Sequence, residues 1–183
     1  MMGPKFREDK VTQAASVILQ RSNGTIKYIK LLKLLYLADR KALQDWERPI
    51  TYDKYVSMKN GLVPSWTYDL IKNNYPETTG YWNEHIIKSG RYQVSLKYIP
   101  APEKLSPAEI KILNQIYDEY GNWDEFDLCE YTHSLAEYKP TEHTSIPTPL
   151  DDVLRALGND SKEIERIDHE ISNEACINAI LGG

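Results

Sequence analysis

The chain has 183 residues, 41% of them hydrophobic and 27% charged, with a formal net charge of −5. These proportions exclude a disordered chain and a membrane-embedded one, and the length suits one compact domain with a self-sufficient core. The acidic balance argues against a dedicated nucleic-acid binder, which needs a basic face for phosphates.

The charge is unevenly spread. Residues 1–60 hold 12 Lys and Arg against 6 Asp and Glu, whereas residues 100–183 hold 6 against 18. Such a dipole suits a partner with a basic surface. The start, MMGPKFREDK, has charge but no apolar run. No secretory signal is therefore expected, and the cytoplasm is the expected compartment. Cys129 and Cys176 form no CxxC and are expected to be reduced thiols.

In chain order, Val11, Ala14, Ala15, Ile18 and Leu19 recur at helical spacing and predict a first helix within residues 1–24. Ser22-Asn23-Gly24 stops it, and Thr25 is a candidate cap for the next. The second helix, about 26–46, is apolar on nearly every side around Leu35, so it is expected at the centre of the domain. Pro49 is expected to end it. Residues 51–60 carry Tyr and Val at near-alternate positions and predict a short extended segment with a turn at Gly61. Pro64 fits the first turn of a third helix. Residues 81–99 predict a β-hairpin, because Tyr92, Val94, Leu96 and Tyr98 alternate with polar residues. A two-residue turn at Ser89-Gly90 would set Ile87 opposite Tyr92 and His85 opposite Val94.

Ser106-Pro107-Ala108-Glu109 is a capping box with proline at the first helical position. Ile110, Leu113, Ile116, Tyr117 and Tyr120 follow, and Gly121 is the expected stop. Asn122 or Asp124 starts a helix that runs to about Ser134. Residues 139–146 read as a polar loop. A short helix follows Thr148-Pro149, and Ser161 is expected to cap a last helix in 159–183. The fold class is mainly α: a single helical domain around a buried central helix, about 26–46, with one β-hairpin, about 81–99.

No catalytic chemistry stands out, and no enzyme activity or cofactor is expected. The histidines His85, His133, His143 and His169 form no metal-ligand pair, and phosphate loops and nucleophile elbows are missing. Cys129 and His133 share a helix face at i,i+4, but no third group marks a nucleophilic site. Lys27, Lys30 and Lys33 make a short basic ridge, expected to pack its stems and hold its amines in water. Tyrosine and tryptophan are abundant, at 13 and 4. Both favour interfaces. Trp46, Trp66, Trp82 and Trp123, each near a predicted element end, are candidate contact residues.

Three blocks carry a resemblance: KLLKLLYLADRKALQDWERPIT (30–51), YVSMKNGLVPSWTYDLIK (55–72) and LSPAEIKILNQIYDEYGNWDEFDLCEYTHS (105–134). In order and spacing they resemble Panacea-domain proteins, the SocA-type antitoxins. PLDDVLRALG (149–158) is similar to that family's later block, and the likeness spans about residues 25–158. Leu62 replaces the usual proline after the turn glycine, and Met58 stands where many members have tryptophan. The resemblance implies an antitoxin that neutralises a cognate protein toxin by direct binding, without catalysis. An alternative it implies is a proteolytic adaptor that delivers the toxin to a cytoplasmic AAA+ protease. The expected partner-binding residues are Met58, Lys59, Asn60 and Gly61 at the turn, with Trp66 and Tyr68 behind it and Tyr52 and Tyr55 before it. A glycine turn at a helix N-terminus would offer unpaired N–H groups, with aromatic anchors alongside.

Overall fold

The computed structural model describes residues 5–181. Residues 1–4 and 182–183, the outer ends of the two expected terminal segments, lie outside the described residues. The chain runs α1 (Glu8–Arg21), β1 (Thr25–Lys27), α2 (Tyr28–Trp46), β2 (Tyr55–Met58), β3 (Gly61–Pro64), α3 (Ser65–Ile71), α4 (Tyr81–His85), β4 (Ile86–Lys88) and β5 (Gln93–Leu96). It continues through α5 (Pro107–Tyr120), α6 (Glu125–His133), β6 (Ile146–Thr148), α7 (Leu150–Ala156) and α8 (Ser161–Ile180). The fold is mainly α.

Every residue of α2 from 31 to 39 is buried. A leucine such as Leu31 or Leu34, fully withdrawn from water, contributes roughly 2 kcal/mol. α1, α5 and α6 pack around α2. α2 ends where Glu47 turns left-handed at φ 60°, two residues before Pro49. The capping box forms at α5: Ser106 Oγ accepts from Glu109 N–H, and the Glu109 carboxylate accepts from Ser106 N–H. α6 is capped by Asp124 and α8 by Asp160, one residue ahead of Ser161.

Two three-stranded antiparallel sheets replace the single expected hairpin, in the orders β1–β5–β4 and β3–β2–β6. Thr25 caps no helix; it pairs with Ser95 in the first sheet. The hairpin at 81–99 is shorter than its alternation suggests. Residues 81–85 are helical, and the register is Ile86↔Leu96, Ile87↔Ser95 and Lys88↔Val94. A four-residue connection, not Ser89-Gly90 alone, joins the strands. The register follows burial: it sets Ile86 and Val94 inward with Ile26 of β1, whereas the two-residue turn would rotate the pairing. Tyr92 and Tyr98 remain more than half exposed.

The second sheet is the structural surprise. Residues 55–64 form a complete hairpin, and Pro64 ends a strand instead of opening a helix. β6, which begins at the last residue of the segment read as a polar loop, adds to its other edge, pairing Tyr55 with Thr148. Gly121 stops α5 with helical dihedrals (φ −61°). A Cβ there would come within 2.3 Å of the Tyr117 carbonyl oxygen.

Candidate functional site

The β2–β3 turn is Lys59-Asn60, closed by Gly61 at φ +99°. Three main-chain carbonyls of this tip are held by donors from elsewhere. Tyr138 Oη donates to Met58 O at 3.1 Å. His133 Nε2 lies 2.8 Å from Lys59 O, and this contact requires a proton on that nitrogen. Lys33 Nζ, wholly buried on α2, donates to Leu62 O at 2.8 Å. Gly61 lies so close to α6 that a Cβ would stand 2.3 Å from Thr132 Oγ1 and 2.7 Å from Lys33 Nζ. Glycine is thus needed for space as well as for backbone conformation. Residues from all three blocks meet here: Lys33 from the first, 58–62 from the second, Thr132 and His133 from the third.

Beside the tip lies a cleft of about 310 Å³ lined by Met58, Lys59, Asn60 and Gly61, with Tyr28, Tyr68 and Tyr92. Ile29, Leu32 and Val63 form its apolar floor. Tyr28 is central to the aromatic wall, its ring 6.2 Å from Tyr68 and 6.5 Å from Tyr92. Lys72 reinforces the wall: its Nζ donates to Tyr28 Oη at 3.1 Å and sits 4.5 Å from the ring centroid.

The eight expected contact residues do not share one surface. Met58, Lys59, Asn60, Gly61 and Tyr68 line the tip cleft, whereas Tyr52, Tyr55 and Trp66 line a second hollow with Pro49, Pro149 and Ile171. Trp66 packs on Phe6, with centroids 5.3 Å apart, and under Lys54. Tyr55 is buried; its hydroxyl donates to Asp39 at 2.8 Å, and its ring meets Tyr36 edge-on. Tyr52 is half-buried beneath Lys10, and burial pushes its phenol up to about 12. Trp82 is core.

The expected unpaired N–H groups at the start of α3 are already occupied. Asp53 accepts from Trp66 N–H at 2.8 Å, Thr67 N–H at 2.9 Å and Thr67 Oγ1 at 2.6 Å. The turn also precedes this helix by a whole strand. Asp39 does comparable work within α2, accepting from Ile50 N–H, Thr51 N–H, Thr51 Oγ1 and Tyr55 Oη. It thereby fixes the loop that leads into β2. Burial raises both carboxyls, Asp53 to about 7, against the lowering effect of these donors.

The basic ridge runs from the exposed Lys27 of β1 to the buried Lys33 of α2, so only its first end is solvated. Lys27 pairs with Glu125 and Lys30 donates to Gly121 O. Burial lowers the Lys33 ammonium to about 7, with Cys129 opposing. The ridge therefore ties α2 to the α5–α6 corner and to the tip. Cys129 and His133 have separate surroundings. Burial pushes the Cys129 thiol up, and His133 is committed to Lys59 O while its ring lies against Tyr138, 4.6 Å between centroids. Among the described residues, no three His, Cys, Asp or Glu side chains gather as a metal site. No helix of the described residues is long and apolar enough to cross a membrane.

Sequence reasoning missed Lys33, Asp39, Asp53, Tyr138 and the cleft-lining Tyr28 and Tyr92. A signal existed for the first two: Lys33 and Asp39 interrupt an otherwise apolar helix on its inward side. No curated protein and no solved structure matches the chain. The family model for the SocA-like antitoxin, Panacea domain, matches residues 31–139, which takes in α2, the gripped tip and the α5–α6 corner. The chain belongs to the SocA-like antitoxins and carries their Panacea domain.

Proposed function

We propose that this protein is a cytoplasmic antitoxin that neutralises a cognate protein toxin by direct binding, with the tip cleft as its contact surface. The observation that carries the reading is the grip on Met58 O, Lys59 O and Leu62 O. It presents Lys59 and Asn60 on a fixed backbone beside an aromatic-walled, apolar-floored cleft. A pre-ordered tip loses little entropy on association, and aromatic anchors in pockets are what dominate protein interfaces. On this reading the protein acts by binding alone. The raised Cys129 thiol and the engaged His133 support that part.

The test changes Lys59, Asn60 and Tyr68 singly to alanine and measures melting temperature together with rescue of growth against the toxin. Lys59 and Asn60 are exposed and Tyr68 is only partly buried, so the fold is expected to survive. Rescue lost at unchanged melting temperature is the expected outcome. Full rescue by all three variants places the contact elsewhere. Toxin half-life in cells with and without the AAA+ protease distinguishes blocking from delivery.

A further inference from the structure

At the α5–α6 corner, separated from the tip cleft by the Lys27–Glu125 pair, lies a shallow hollow with two aromatic side chains in its lining. Trp123, Tyr131, Asp127 and Glu130 line it, together with Asn122 and Ser134. Tyr120 braces it from beneath. Its ring stacks on Tyr131 at 5.4 Å and meets Trp123 edge-on at 5.0 Å. Phe126, one turn before Glu130 on α6, is 75% exposed and lies outside this lining. Neighbouring acids are satisfied within the fold: Asp118 pairs with Arg21 and Glu125 with Lys27. The hollow itself contains no Lys or Arg, so the exposed Asp127 and Glu130 present negative charge beside Trp123, 36% exposed, and the partly buried Tyr131.

We infer that this hollow is a second docking surface, one that takes an arginine side chain from a basic segment of a partner protein. Guanidinium is the cation that fits both halves of the lining. Its plane stacks on indole and phenol rings, and its edge donates paired hydrogen bonds to carboxylates. A lysine ammonium satisfies the carboxylates without the stacking. No residue lining this hollow lines the tip cleft, so the inference stands apart from the proposed toxin contact.

The test is a two-dimensional NMR titration of the full chain, at physiological ionic strength, with an acetylated and amidated Gly-Arg-Gly-Arg-Gly peptide. A matched peptide with citrulline in place of arginine is the uncharged control. Saturable shifts centred on the Trp123 indole N–H and the Tyr131 amide are expected with arginine only. The double variant Asp127→Asn, Glu130→Gln is expected to weaken the arginine peptide about tenfold. Glu103→Gln with Glu165→Gln removes the same charge from other exposed sites and is expected to change binding less than about twofold. Equal losses in the two double variants would reduce the effect to overall acidity and overturn the inference. So would the absence of saturable shifts at Trp123, or equal binding of the citrulline peptide.

Discussion

The two hairpins of this protein each join a third strand in a three-stranded sheet but are built on opposite plans. β2–β3 has all four β3 residues buried and a tip whose carbonyls are held by Tyr138, His133 and Lys33. β4–β5 buries one face through Ile86 and Val94, and residues 89–93 across its connection are all exposed. The first hairpin is held from outside, by side chains of α2, α6 and the segment after it. The second is held by its own ladder, by β1 and by packing on α1, with one main-chain bond from Tyr28 N–H to Tyr92 O at its connection. A turn gripped by the core resists change at every backbone atom, whereas a turn at the surface yields cheaply.

The largest expected difference between them is in pH response. Lys33 titrates near 7 in the fold against 10.5 ordinarily. Between those values the unfolded chain binds a proton that the folded one does not, so stability rises with pH across that window. Asp53 titrates near 7 against 3.8 ordinarily. Here the folded chain holds the extra proton, so stability falls as pH rises from about 4 to about 7. The limbs are worth up to about 5 kcal/mol for Lys33 and about 4 kcal/mol for Asp53, and together they place a stability minimum near neutrality. Urea midpoints measured across this range are expected to trace that trough. Lys33→Met should flatten the alkaline limb and Asp53→Asn the acidic one. A monotonic profile in the parent chain would remove the electrostatic half of the contrast.

Next in size are the two turn glycines. Gly61→Ala drives a methyl into buried Thr132 at a positive φ, an expected loss of about 3 kcal/mol. Gly90→Ala meets nothing nearer than 3.7 Å, from Gln93, and is expected to change stability by less than about 0.5 kcal/mol. Thermal unfolding of both variants checks the pair, and similar losses would show that the two turns are equally constrained.

The smallest effect isolates a single grip. His133→Ala removes the donor to Lys59 O and the ring against Tyr138. Lys59 O is near the surface and can turn to water, so the expected cost is about 1 kcal/mol. Amide exchange sharpens the result: protection should fall at residues 59–61 and stay unchanged at 89–93.

The same contrast explains what the sequence revealed. α1, α2, α5 and α8 were legible because each repeats an apolar stripe over several turns, α6 was legible from its Asp124 start, and the Ser106 cap from its own four residues. Strands of three or four residues, such as β1 and β6, carry too few alternations to register. The pairing of Tyr55 with Thr148 joins segments far apart in sequence and has no local trace. Val94 betrayed its strand, but the register depended on Ile26 across the sheet. The tip residues 58–61 stood out in the sequence because glycine and aromatics cluster there. Their anchors were not. A pattern that assigns every charged residue to water sends Lys33, Asp39 and Asp53 to the surface, whereas all three are buried with polar partners.

The grip on the tip is made to main-chain oxygens, and neither Lys59 nor Asn60 has a positive φ. At these two positions the scaffold holds the backbone, and its side-chain contact there is an exposed ion pair between Lys59 and Glu142 at 3.4 Å, which contributes little. Twenty-by-twenty variation there would leave the architecture standing while rewriting the chemistry it displays. A presentation loop whose letters are decoupled from its frame suits a lineage that must follow changing adversaries. It is equally a place where an engineer could install new specificities without first repairing the fold.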